Sequence, residues 1–72
     1  MPLGMANPGE VVTIQRVGGS AETKKFLENL GFIIGEQVMV LTAAAGNIIV
    51  QVKESRVAIN SEMAKKIFVT PN

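Results

Sequence analysis

The stretch FLENLGFIIGEQVMV, residues 26–40, decides the fold because a helical pattern ends within it and a strand pattern begins. The apolar side chains leading into it have the spacing of one helix face: Thr23, Phe26, Leu27 and Leu30. We therefore expect an α-helix over about residues 21–30, with Ser20 as its N-cap. Gly31 follows the last apolar residue, where a glycine with positive φ commonly ends a helix.

The rest of the chain is typical of short strands. Segments rich in β-branched residues, most of them alternating, predict five strands: Glu10–Val17, Gln37–Thr42, Ile48–Lys53, Arg56–Ile59 and Ile67–Val69. The connection 43–47 joins the second and third strands, with its turn at Gly46-Asn47. A short helical turn is expected at about residues 61–66, capped by Asn60 or Ser61. The last strand is in a position to pair with the first.

This order of elements predicts a mainly β protein, a small barrel with one inserted helix. Five short strands and one helix cannot cover both faces of an open sheet, and closure removes the exposed edges. The predicted core consists of residues at period 2 in the strands and at helical spacing between them: Val12, Ile14, Phe26, Leu27, Leu30, Val38, Val40, Val50, Val52, Val57 and Ile59.

Composition limits both size and chemistry. The 72 residues allow a single domain, 1–72, and the chain has no Cys and no His, so neither a disulfide nor the usual zinc ligands can stabilise it. The N-terminus, MPLGMANPGE, lacks the pattern of a signal peptide, and no apolar stretch is long enough to span a membrane. The lack of cysteine fits a cytoplasmic protein.

Catalysis is not expected. Acid–base and nucleophilic enzymes need a nucleophile, a base or paired carboxylates in a pocket, and the chain has no His, Cys, Asp or Tyr. Its serines and lysines have simple structural roles, because they lie at helix caps, in turns or on solvent-exposed faces. We predict no catalytic residue and no cofactor.

Two other classes of function stay open as alternatives. A small barrel can bind nucleic acid, but the chain has a net charge of +1 and only three aromatic residues, all Phe. A metal-sensing domain would need clustered oxygen ligands, and the six Glu residues are scattered along the sequence. We predict neither a nucleic-acid partner nor a metal site; the alternative is a weak carboxylate site assembled by the fold.

The sequence resembles the FeoA family over about residues 3–69. The most specific part is Leu30-Gly31-Phe32-x-x-Gly35 with the strand that follows. The looser part is the spacing of Pro8-Gly9-Glu10, Val38-x-Val40, Ile48-x-Val50-x-Val52, Arg56-Val57-Ala58-Ile59 and Ala64-x-x-Ile67-x-Val69. Many family members have Pro where this chain has Ile34 and Ile48.

The resemblance implies an SH3-like β-barrel and an accessory or regulatory role in bacterial ferrous iron uptake. The implied partner is FeoB, a membrane ferrous iron transporter with a cytosolic G-protein domain. The same module resembles the C-terminal domain of metal-dependent repressors, but this chain has no helix-turn-helix. The resemblance supplies no catalytic residues. It leaves open whether the protein increases or decreases iron transport by FeoB, which part of FeoB it contacts and whether it forms dimers.

The triplet Phe32-Ile33-Ile34 is the most informative part of the connection. Three large apolar residues in a row cannot all point inward along an extended connection. We expect Phe32 to pack under the barrel and Ile33 or Ile34 to stay at least partly exposed, which would favour a partner surface. The alternative is that the helix and the C-terminal turn cover these residues. The predicted interaction residues are Ile33, Ile34, Met39, Leu41 and Arg56.

Overall fold

The computed structural model describes residues 1–44 and 46–71. Its elements, in order, are a 3-10 turn Leu3–Met5, β1 Val11–Val17, α1 Ala21–Asn29, β2 Gln37–Ala44, β3 Asn47–Val52, β4 Ser55–Asn60, α2 Ser61–Ala64 and β5 Ile67–Pro71. Ala45, in the predicted connection 43–47, and Asn72, at the end of the predicted domain, lie outside the described residues. Every helix and strand predicted from the sequence is present, and the 3-10 turn was not predicted.

The strands form one antiparallel sheet in the order β4-β3-β2-β1-β5, so the last strand pairs with the first as predicted. The register shifts between Ile14 and Arg16 in β1 and between Val40 and Thr42 in β2. Such irregularities increase the bend and twist of a strand. Both edge strands contribute to the same buried cluster, through Ile59 of β4 and Val69 of β5. The predicted small β-barrel with one inserted helix is confirmed.

The ends of the helices follow from local chemistry. The Ser20 hydroxyl accepts a hydrogen bond from the backbone N–H of Thr23 at 3.2 Å, so the predicted N-cap of α1 is confirmed. Gly31, after the C-cap, has a φ of 107°, and the prediction of a positive φ there is also confirmed. The Asn60 side chain accepts from the N–H of Met63 at 2.8 Å, so Asn60 caps α2.

Most of the predicted core is buried, with three corrections. Phe26 was expected inside but is 50% exposed, because Leu27 is the residue of α1 that turns toward the barrel. Leu30 and Val57 are only half-buried, so truncating Leu30 should cost less than a fully buried leucine would. Phe32 is buried, as expected for it separately from the core list, and the buried side chains that were not predicted are Leu3, Ala6, Ile48, Ala64, Ile67 and Val69.

The N-terminal segment forms part of the barrel. Leu3 has no exposed surface, and Pro2 forms an isolated bridge with Phe68 of β5. This bridge covers the outer edge of β5, where an unpaired strand would otherwise be open to pairing with another chain. The segment forms no regular strand, so its apolar residues have no periodic spacing from which their burial could be predicted.

Candidate interaction surface

The triplet after α1 divides between core and surface. Phe32 has no exposed surface, which confirms the prediction that it packs under the barrel. Ile33 is 44% exposed and Ile34 is 68% exposed, so both side chains of the predicted pair face solvent. The alternative, that the helix and the C-terminal turn cover them, is wrong. Two adjacent exposed isoleucines form an apolar spot on an otherwise mixed surface.

The backbone that carries these isoleucines is held on both sides. The N–H of Gly35 donates to the carbonyl of Ile14 at 2.8 Å, and the N–H of Ile14 donates to the carbonyl of Glu36 at 2.9 Å. Within the connection, the N–H of Glu36 donates to the carbonyl of Ile33 at 2.9 Å. Isoleucine is also stiff about χ1. The two side chains therefore project from a fixed backbone with little freedom to lose on binding.

A groove of about 400 Å³ lies between this connection, α1 and the end of β1. Its lining combines apolar and charged side chains: Arg16, Val17, Lys24, Glu28, Phe32, Ile33 and Ile34. Lys24 and Glu28 are four residues apart on α1 and so lie on the same side of the helix. The sequence-based prediction named the isoleucines but missed the charged residues, for which the helical spacing of Lys24 and Glu28 was the available signal.

The two cations of the groove are available to a partner. The Arg16 guanidinium lies 4.3 Å from the centroid of the Phe68 ring, a cation–π contact that restricts its position. In the described part of the chain, ion pairs form between Lys53 and Glu36 and between Lys65 and Glu62, each at 3.6 Å. Neither Arg16 nor Lys24 belongs to such a pair.

The other three predicted interaction residues lie elsewhere. Met39 of β2 pairs with Gln51 of β3, which pairs in turn with Arg56 of β4, so Met39 and Arg56 belong to one row across the outer face of the sheet. Met39 and Leu41 are half-buried, while Arg56 is exposed. None of the three lines the groove beside Ile33. The structure therefore separates the predicted set into two surfaces.

A second, more apolar cleft of about 580 Å³ was not predicted. It lies between the N-terminal segment, the β2–β3 end of the sheet and α2. Most of the side chains that line it are small or apolar. Met5 is one of them, and 70% of its surface is exposed. It contains none of the predicted interaction residues.

Neither a metal cluster nor a membrane-spanning helix is found among residues 1–44 and 46–71. No three His, Cys, Asp or Glu side chains in these ranges come together in a way that could hold a metal ion. None of the helices there has the length and apolar character needed to cross a bilayer.

Comparison with known proteins gives a consistent result. The FeoA domain family model matches residues 1–71. A protein from Methanocaldococcus jannaschii named Fe(2+) transport protein A is 31% identical over 68 residues, which span 94% of this chain and 83% of that protein.

Two solved structures have closely similar folds. A crystal structure of an iron uptake regulatory protein (FeoA) superimposes with a TM-score of 0.89 at 27% identity, covering 97% of this chain and 93% of that one. A manganese-dependent transcriptional repressor superimposes with a TM-score of 0.91 at 21% identity, covering this whole chain but 41% of the repressor. The likeness to the repressor is one of fold.

Proposed function

The chain belongs to the FeoA domain family, and we propose that it is a non-enzymatic accessory protein of ferrous iron uptake that binds FeoB. FeoB is the membrane ferrous iron transporter with a G-protein domain that the sequence resemblance implies as partner. Because that domain is cytosolic, the proposed location of this chain is the cytoplasm. In this role the ferrous ion is the cargo of the transporter, and the chain acts by contact between proteins.

The observation that supports the proposal is the exposed pair Ile33 and Ile34 on a hydrogen-bonded backbone. Apolar anchors that enter a partner's pocket carry much of the energy of an interface. Anchors that are already fixed in position lose less conformational entropy when they bind. A chain of this size, with no catalytic constellation in its sequence, is better suited to such docking than to chemistry.

The proposal is tested by titrating the labelled chain with full-length FeoB from the same organism in lipid nanodiscs. We expect saturable binding, because the exposed isoleucines offer a preformed anchor. Empty nanodiscs and an unrelated G protein of similar size are the controls, and neither should bind. Absence of saturable binding to FeoB, with and without guanine nucleotide, would contradict the proposed function.

A further inference from the structure

We propose that the groove beside Ile33 and Ile34 receives a partner segment in which an apolar side chain is flanked by a carboxylate. This inference rests on the proposed function, because it specifies the chemistry of the partner at the same surface. Its starting point is the lining of the groove, which joins apolar side chains of the connection to cations of α1 and β1.

The apolar part of the groove sets the first requirement. Ile33 and Ile34 expose aliphatic surface there, and the half-buried Val17 contributes to the same lining. A volume of about 400 Å³ has room for one or two large side chains of a partner. Leucine, isoleucine, methionine or phenylalanine would bury this surface without leaving a polar group unpaired.

The charges set the second requirement. Arg16 and Lys24 line the groove without a carboxylate partner in the described chain, and Glu28 is the one acidic side chain of the lining. Two cations against one carboxylate leave an excess of positive charge. A partner carboxylate meets attraction near Arg16 and Lys24, whereas a partner lysine would meet repulsion.

The positions of these charges also give the segment a direction. Lys24 lies one helical turn nearer the start of α1 than Glu28. The connection with the isoleucines follows the other end of α1. The partner's carboxylate should therefore lie toward the start of α1, and its apolar side chain toward Ile33 and Ile34.

The contact of Arg16 with Phe68 strengthens the case for a carboxylate. A guanidinium that rests over a ring still carries its planar fork of N–H donors, and this fork suits the two oxygens of a carboxylate. Because the side chain is already restricted, less conformational entropy is lost when the pair forms.

The experiment compares two charge reversals on α1 in the titration with full-length FeoB. Lys24→Glu changes a residue of the groove, whereas Lys25→Glu makes the same change of charge at the next exposed position of the helix, outside the lining. We expect Lys24→Glu to weaken binding about three- to tenfold and Lys25→Glu by less than about twofold. Wild-type affinity should fall as NaCl is raised from 50 to 300 mM, because the contact is charged.

Methyl NMR locates the contact directly. Addition of FeoB should shift or broaden the methyl signals of Ile33 and Ile34, while Ile49, which is also exposed but lies on β3, should be unaffected. If FeoB binds but Lys24→Glu has no effect, or has the same effect as Lys25→Glu, the groove proposal is wrong and the proposed function stands. A change in the methyl signals of Ile49 alone would also show that the groove proposal is wrong while the proposed function stands. If wild-type protein does not bind, the proposed function fails and the groove proposal with it.

Discussion

Gly31 and Val52 are so close that a Cβ atom on Gly31 would lie 2.6 Å from Cγ1 of Val52. Gly31 directly follows the C-cap of α1, and Val52 is the last residue of β3 and belongs to the core. The backbone of the helix end therefore rests directly on the barrel. This contact requires glycine for two separate reasons, the positive φ of 107° and the lack of space for a side chain.

Replacing Gly31 with alanine should destabilise the protein strongly. The positive φ costs about 1–3 kcal/mol for a residue with a side chain, and forcing the extra methyl group against Val52 costs about 1–3 kcal/mol more. Urea unfolding measures the sum. Gly35→Ala is the matched control, because Gly35 has a φ of 91° but open space where the Cβ would stand. Equal losses in the two variants would show that the contact with Val52 contributes nothing.

Phe32 and Phe26 should respond to truncation in opposite ways. Phe32 is fully buried, so Phe32→Ala should lower the free energy of unfolding by about 3–5 kcal/mol. Phe26 is 50% exposed, and Phe26→Ala should cost only about 1–1.5 kcal/mol. Thermal unfolding followed by circular dichroism compares them. A larger loss at Phe26 would mean that α1 is rotated about its axis so that Phe26 faces the barrel.

These two phenylalanines show how far the sequence predicts the core. Phe26 and Leu27 are neighbours, and both fit an apolar stripe at helical spacing, so periodicity alone could not decide which one faces the barrel. The position of α1 is set by contacts distant in sequence, such as that between Gly31 and Val52, and no local pattern reports such contacts. The strands were easier to predict because one face of each alternates into the core, as Val38 and Val40 do.

Leu3 should be essential to stability although it lies in no strand. It has no exposed surface, so Leu3→Ala should cost about 2–5 kcal/mol. Met5 belongs to the same 3-10 turn but is mostly exposed, and Met5→Ala should change stability by no more than about 0.5 kcal/mol. Chemical denaturation measures both. If the Leu3 variant is as stable as the Met5 variant, the N-terminal segment is not part of the core.

The candidate surface was only partly predictable for a related reason. Exposure of Ile33 or Ile34 followed from the impossibility of burying a whole apolar triplet, which is a local argument. Arg16 meets Lys24 and Glu28 in one groove because the fold places α1 beside the end of β1, which is a tertiary arrangement. Met39 and Arg56 lie in one row because of the strand register. The sequence could suggest both residues for an interaction surface, but it could not show that they lie on a different surface from the groove.

The chain should not bind ferrous or zinc ions tightly on its own. It lacks His, Cys and Asp, and no three acidic side chains come together in the described part of the chain. Metal ions of this kind need several such ligands in one place. Anaerobic calorimetry with each ion checks the prediction. A saturable isotherm with micromolar affinity would contradict it and would favour the metal-sensing alternative over a role through protein contact alone.

Replacing the exposed isoleucines should separate folding from binding. Ile33→Ser and Ile34→Ser remove apolar groups that face solvent, so each variant should melt within a few degrees of the parent, as surface substitutions usually do. Each should weaken binding to FeoB by about tenfold, because truncating an interface anchor commonly costs more than about 1 kcal/mol. The matched control is Ile49→Ser, which makes the same change at an exposed isoleucine of β3 and should leave binding unchanged. If both serine variants unfold, the pair belongs to the core. If both stay folded and bind normally while Ile49→Ser binds weakly, the partner contacts the outer sheet face with Met39, Leu41 and Arg56 instead.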